Sequence, residues 1–223
     1  MGRREQPADT RIVVIGLGRF GGSLAVELTR DGFDVLGIDA DERLVQDYAD
    51  EITHVAVADS TDADALRQLG VPDAPRAVVA IGDHLEASIL TTALLADFEI
   101  PDIWAKATSP EQRRILQRIG AHHVVLPEQD MGRRVAHLVT GRLLDYIEFE
   151  DDYALVKTRA PAEAIGRTLG ASKLRSKYDV TVVAIKRPGE GFTYATADTL
   201  VRAGDVLIVA GHTSEVERIA NLT

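Results

Sequence analysis

Three glycines, Gly16, Gly18 and Gly21, stand in G-x-G-x-x-G spacing within the stretch VVIGLGRFGGSLA. Between an apolar strand and a helix, that spacing serves to seat a pyrophosphate. Gly16 permits the tight turn, Gly18 lets the backbone approach the phosphates, and Gly21 lets the helix pack closely on the sheet. The helix N-terminus adds free N–H groups and a partial positive charge. Asp39, in GIDAD, ends the second apolar run at about the spacing where an acid grips ribose hydroxyls. An acid there disfavours a 2′-phosphate, so NADP is not expected. The alternative for the whole stretch is a glycine turn that serves packing alone. Arg19 is unusual in such a turn. Its guanidinium either points into solvent or reaches a distal phosphate with a bidentate fork, and spacing alone leaves both readings open.

These residues need a scaffold, and the chain has a rhythm that supplies one. RIVVIG, FDVLGID, THVAVAD, RAVVAIG, DIWAKA and HHVVLP read as strands. Between them lie helical segments: Phe20 to Arg30, DERLVQDYAD, DADALRQLG, HLEASILTTALLADF and SPEQRRILQRIG. Runs apolar on both faces, alternating with helices, predict a parallel sheet covered on both sides. Ser109 and Pro110 mark a helix start, and Gly70 and Gly120 mark two helix ends. Six strand–helix units make an α/β, doubly wound parallel sheet of the Rossmann type. The rhythm then changes. Pro127 to Glu150 reads as a long helix leading out of the sheet. YALVKTRA, VTVVAIKR and DVLIVAG follow as strands without long helices between them, and RPGEG reads as a hairpin turn. The expected organisation is a disordered arm over 1–10, a nucleotide-binding domain over 11–143 and a small α+β domain over 144–223. The acidic run EFEDDY reads as a solvated linker.

Composition bounds the function. The 223 residues carry a formal net charge of −10 with scattered Lys and Arg, whereas a nucleic-acid partner requires a basic face. No apolar run approaches the roughly 20 residues that cross a bilayer, and MGRREQPADT lacks the apolar core of a secretory signal. With no cysteine, disulfides and thiolate chemistry are excluded. A cytoplasmic location is expected.

VVIGLGRFGGSLAVEL, GIDADERLVQDYAD, AIGDHLEASILTT, IPDIWAKA and PEQDMGRRVA together resemble the nucleotide-binding domain of the RCK family, the regulators of potassium conductance. LRSKYDVTVVAIKR and LVRAGDVLIVAGH resemble that family's small C-terminal domain. The likeness runs from about Arg11 to about Ile219 and is strongest to the KtrA/TrkA-type cytosolic subunits of bacterial potassium uptake systems. It implies dimers assembled into an octameric ring beneath an integral-membrane potassium channel or transporter subunit. It also implies gating by bound ATP or ADP, with NAD(H) as the alternative of the Trk type. By position, Gly16, Gly18, Arg19 and Phe20 match the phosphate turn and Asp39 the ribose acid. Asp59, Ser60 and Thr61 match the loop beside the base, and Ile81 with Gly82 the strand end facing it. Lys106 matches a basic residue near the ribose and phosphates. Glu128 matches a carboxylate near the terminal phosphate, where the family can hold a metal or other cation across the dimer. Leu174 and Arg175 match a cyclic di-AMP pocket in the C-terminal domain, where relatives often carry prolines in place of Ala195 and Ala197.

Several residues admit plainer readings. Glu128 also suits the first turn of a helix, where the dipole favours an acid. A carboxylate facing a phosphate makes sense only with a cation between them. His122 and His123 are adjacent in a strand and face opposite sides, so they do not chelate one metal together. His54, His84, His137 and His212 lack zinc spacing. Ser88, Thr91 and Thr92 lie on a helix with no base nearby. Ile89, Leu90, Leu94 and Leu95 are either core or a contact between subunits. The rival function is a nicotinamide-dependent oxidoreductase, which would use the same glycines. It would also need a substrate domain with a proton donor, and the small tail offers none. A sensor that gates a different transporter is a third reading.

Overall fold

The computed structural model describes residues 10–139, 141, 143–149 and 151–222. They form two compact units that meet in sequence at Gln129 and Asp130.

The first unit holds six parallel strands in the order β3-β2-β1-β4-β5-β6. They are β1 (Arg11–Ile15), β2 (Asp34–Asp39), β3 (His54–Val57), β4 (Arg76–Val79), β5 (Asp102–Lys106) and β6 (His123–Val125). The intervening helices are α1 (Arg19–Arg30), α2 (Glu42–Asp47), α3 (Ala63–Gln68), α4 (Leu85–Asp97) and α5 (Pro110–Arg118). The side chains of β1 divide between two cores. Ile12 and Val14 pack with Val26 of α1 and Val45 of α2. Val13 and Ile15 pack with Leu66 of α3, Leu95 of α4 and Leu116 of α5. Each fully buried aliphatic side chain contributes roughly 1.5–3 kcal/mol, which is why the central strand is apolar from Ile12 to Ile15. The chain runs outward from β1 in both directions, so β1 and β4 flank a crevice at their carboxyl ends. Helix ends follow the expected signals. Ser109 caps α5 by accepting from Gln112 N–H, and Gly70 and Gly120 adopt φ of +69° and +119°. Helix α2 is shorter than DERLVQDYAD suggests. It stops at Asp47, and the Tyr48 ring lies against Gly22 of α1.

The second unit is a five-stranded antiparallel sheet in the order β10-β9-β11-β8-β7. Its strands are β7 (Asp145–Glu148), β8 (Tyr153–Arg159), β9 (Thr181–Lys186), β10 (Phe192–Tyr194) and β11 (Val206–His212). Helices α7 (Leu169–Ser172), α8 (Leu174–Tyr178) and α9 (Thr213–Ala220) accompany them. Val216 and Ile219 of α9 and Leu174 of α8 complete a core with Val156, Leu207 and Val209. RPGEG connects β9 and β10 as a hairpin.

Two expectations are corrected. The helix expected over Pro127–Glu150 is α6 (Pro127–Val139), and β7 replaces its distal part. Gly141, at φ +73°, turns the chain, and Asp145–Glu148 pairs along β8. The described residues of EFEDDY belong to the β7–β8 hairpin and are no free linker. Asp151 and Asp152 take φ of +60° and +58°, and Phe149 N–H donates to Tyr153 O at 2.7 Å. Glu150 lies outside the described residues, as do residues 1–9 of the expected arm. The two compact units divide after Gln129, inside α6. The end of α6 is tied to the second sheet, where Arg134 donates to Asp145 and the His137 ring stacks on Tyr146 at 4.0 Å.

Candidate nucleotide-binding site

A cleft of about 370 Å³ opens at the carboxyl ends of β1, β2 and β4 in the first unit. Its floor is the glycine turn. Gly16 sits at φ +95° with its N–H bonded to Ile38 O at 2.7 Å. Gly21 packs so tightly that an added side-chain carbon would lie 1.8 Å from Gly16 O. A carbon added at Gly18 would meet nothing within 4 Å. The three glycines therefore do different things: one bends, one faces open space, and one brings the helix down onto the turn. Gly18 is the N-cap of α1 and offers no side-chain cap, and the first turn carries no acid. The leading N–H groups of a 12-residue helix are thus left for an anion.

Asp39 closes β2 beside this turn. Its Oδ2 accepts Leu17 N–H at 2.6 Å and its Oδ1 accepts Asp41 N–H at 2.8 Å. Asp59, Ser60, Ile81 and Gly82 line the cleft. Asp59 Oδ1 accepts from both the hydroxyl and the N–H of Thr61, and these bonds hold its carboxyl below the usual aspartate range. Ser60 turns its hydroxyl inward to Thr91 at 2.8 Å. Thr61 thus fixes the Asp59 carboxylate and is not among the residues forming the cleft wall.

Arg19, Phe20, Lys106 and Glu128 form a second group next to Gly82. A carbon placed on Gly82 would lie 3.1 Å from Lys106 Nζ. That ammonium is 2.7 Å from Glu128 Oε1 and 5.8 Å from the centre of the Phe20 ring. The hydrogen bond from Lys106 is the chief reason the Glu128 carboxyl lies below its ordinary value. A backbone hydrogen bond and the charges of Lys106 and Arg19 act in the same direction. Arg19 is exposed, and among the described residues no hydrogen bond or ion pair engages its guanidinium. Glu128 is a single carboxylate already paired with Lys106. Among the described residues no group of three or more His, Asp or Glu is placed to hold a metal ion. The donors of one chain therefore do not fit a cation at Glu128.

Sequence reading missed the opposite wall. Ala40, Leu44 and Ala58 give it an apolar surface, with Asp41, Asp83 and His84 at its polar margin. Small apolar residues after β2 and β3 carry no spacing signal of their own. His122 and His123 do diverge: His122 Nδ1 accepts Ile103 N–H at 3.0 Å, while His123 stacks on Trp104 with centroids 4.2 Å apart. In the second unit, a smaller hollow of about 240 Å³ brings together Leu174, Arg175, Ala195 and Ala197.

A parallel sheet with its cleft at the strand-order reversal, followed by a small antiparallel lobe, is the architecture of RCK domains. The chain superposes on the crystal structure of the GsuK RCK domain with a TM-score of 0.66 at 19% identity, over 98% of this chain and 49% of that one. It thus spans about half the length of the GsuK chain. Residues 12–127 match the TrkA-N domain and residues 154–223 the TrkA-C domain. The chain belongs to the RCK family of TrkA-N/TrkA-C proteins, within its KtrA/TrkA-type branch. It is 39% identical to Ktr system potassium uptake protein C of Bacillus subtilis, over 92% of this chain and 93% of that protein. It is 36% identical to Ktr system potassium uptake protein A of the same organism, over 95% and 96%.

Proposed function

We propose that this chain is the nucleotide-sensing regulatory subunit of a Ktr-type potassium uptake system, and not an enzyme. It binds ATP or ADP in the first unit and gates an integral-membrane potassium channel or transporter subunit from the inner face of the membrane. The observation that carries the reading is the open approach at Gly18 onto an uncapped helix N-terminus, with two cationic side chains, Arg19 and Lys106, close by. The relatives named for potassium uptake support the transport role. Among the described residues no helix is long and apolar enough to cross a membrane.

The two phosphates shared by ATP and ADP rest on the turn at Gly16 to Gly18 and the α1 N-terminus. Asp39 receives the ribose, and the wall of Ala40, Leu44 and Ala58 receives the base. A switch requires a contact that distinguishes the nucleotides. Arg19, with its fork unengaged, is the group available to the third phosphate, and Lys106 adds a second charge. ATP binding therefore changes the electrostatics of Glu128 and its neighbours more than ADP binding does.

Assembly into a ring of about eight chains is supported by α4, which carries exposed leucines as well as Ile89, Leu94 and Leu95 packed in the core. It buries Ser88, Thr91, Thr92 and Leu95 against the sheet and exposes Leu85 and Leu90 at 51% and 45%. The buried hydroxyls are satisfied internally: Thr91 bonds Ser60, and Thr92 bonds Ser88 O at 2.7 Å. Leu90, on the side of α4 away from these satisfied hydroxyls, is a large apolar side chain left for a contact between subunits. In the second unit, Arg175 beside the hollow at Leu174 and Ala195 supports cyclic di-AMP as a further ligand.

Mass spectrometry of nucleotide released from purified protein tests the reading. Recovery of ADP or ATP supports it, and NAD(H) at near-full occupancy replaces it with a Trk-type assignment. Arg19→Ala should weaken ATP by about ten- to a hundredfold, the loss of a charge-assisted hydrogen bond of roughly 1.5–3 kcal/mol, and weaken ADP much less. Equal losses for both would place Arg19 on the shared phosphates.

A further inference from the structure

The carboxylate of Asp39 is already at work before any ligand arrives. Each of its oxygens accepts a backbone N–H, Leu17 on one side at 2.6 Å and Asp41 on the other at 2.8 Å. Leu17 is the residue between Gly16 and Gly18, so the first bond spans from the end of β2 to the middle of the glycine turn. Beneath it, Gly16 N–H is bonded to Ile38 O at 2.7 Å. The Leu17 side chain is fully buried, and its methyls lie where Gly37 leaves space: a carbon added at Gly37 would be 3.0 Å from Leu17 Cδ2. The turn is therefore fixed by three tethers to β2, and Asp39 is the only one to which β2 contributes a side chain.

Without that carboxylate, the Leu17 N–H would lose a charged acceptor, the stronger class of hydrogen bond. The flanking glycines, one at φ +95° and one unencumbered, would add no side-chain restraint, so the Gly16 N–H bond to Ile38 O and the buried Leu17 side chain would be left to hold the turn. A carboxylate has about four lone-pair sites, so two backbone bonds leave room for ribose hydroxyls as well.

We propose that Asp39 is a positioning residue for the phosphate-binding turn, acting through Leu17 N–H, in addition to any contact with ribose. The inference rests on the nucleotide-binding reading and adds a consequence to it. Phosphate affinity depends on Asp39 even for a ligand that has no ribose hydroxyls.

The test compares ATP with 2′,3′-dideoxy-ATP on wild type, Asp39→Ala and Asp39→Asn. A residue that only gripped ribose would leave dideoxy-ATP binding unchanged on substitution. The positioning role predicts that Asp39→Ala weakens dideoxy-ATP about tenfold, the value of one lost hydrogen bond to a charged acceptor. Asp39→Asn should lose less, because an amide oxygen still accepts one of the two N–H groups. Hydrogen exchange on the ligand-free proteins gives the second readout. The Leu17 amide should exchange faster in Asp39→Ala, while Gly16 and the β4 amides of Ala77 to Val79 stay protected and report an intact fold. Equal dideoxy-ATP affinity in wild type and Asp39→Ala, or an unchanged Leu17 amide, overturns the proposal. If wild type binds neither nucleotide, the nucleotide-sensing reading fails by itself. The Leu17 exchange rate then still decides whether Asp39 holds the turn.

Discussion

Substituting alanine at Gly18 and at Gly21 should separate binding from folding within one motif. At Gly21 the new carbon would lie 1.8 Å from Gly16 O, short of an ordinary contact of at least 3.4 Å by 1.6 Å, and 2.8 Å from the Ala80 side chain. Both obstacles belong to the sheet side, one of them backbone, so α1 must lift from the sheet. Overpacking of this kind costs typically about 1–3 kcal/mol, and a clash with a backbone atom belongs at the upper end. At Gly18 the new carbon meets nothing within 4 Å, and the backbone, at φ −63°, already suits any L-residue. Alanine is a poorer N-cap than glycine, but it also reduces the freedom of the unfolded chain, by about 0.4–1 kcal/mol. The two effects oppose, so stability should change by less than about 1 kcal/mol. That carbon projects into the space a pyrophosphate needs, so ADP affinity should fall at least tenfold, about 1.4 kcal/mol. Urea unfolding followed by far-UV circular dichroism measures the first quantity and titration calorimetry with ADP the second. Gly21→Ala unfolding within 1 kcal/mol of wild type would refute the packing argument. Gly18→Ala binding ADP at wild-type affinity would refute the placement of phosphates on this turn.

Glu128 should titrate below its ordinary value of 4.5, because Lys106 stabilises the carboxylate. With the folded-state pKa depressed, the pair contributes fully above pH 4.5 and is lost as pH falls through the lower folded value. Carboxyl-carbon NMR checks the midpoint, which Lys106→Ala should raise; a midpoint at or above 4.5 in wild type contradicts the ion pair. Glutamate at both Leu85 and Leu90 should break the assembly without unfolding the chain. Light scattering with nucleotide present should show the loss, and an unchanged mass would remove α4 from the subunit contact. Thr91→Val should destabilise the first unit by about 1–3 kcal/mol, since the Ser60 hydroxyl it leaves behind is buried; a urea midpoint equal to wild type would show that Ser60 finds another partner. In the second unit, Arg175→Ala should abolish heat released on cyclic di-AMP titration, and a wild-type protein giving no heat at micromolar ligand would dismiss that site.

Some of this molecule was readable without coordinates because its constraints are local. The spacing of Gly16, Gly18 and Gly21 reports a turn whose geometry is satisfied within one strand–helix connection. Ser109–Pro110 and Gly120 report helix ends by the same short-range chemistry. The apolar strands announce a parallel sheet because both of its faces must be covered.

What the tertiary structure decided involves residues far apart in the chain. DYIE carries too short an alternation to stand as a strand alone. It becomes β7 because β8 offers it a ladder, with Tyr146 buried beneath, and so the helix begun at Pro127 ends at Val139. The exposed Leu90 of α4 acquires meaning only once Ile89, Leu94 and Leu95 of the same run are seen packed in the core. Arg19, Lys106 and Glu128 share no motif, yet strand order brings them beside Gly82. Asp39 could be picked out by its distance from the glycines, but its grip on Leu17 N–H could not. Sequence carries the periodicity and the turn chemistry that neighbouring residues enforce on one another. Which distant charges and hydrogen-bonding groups meet is set by the pairing of strands, and that requires the folded chain.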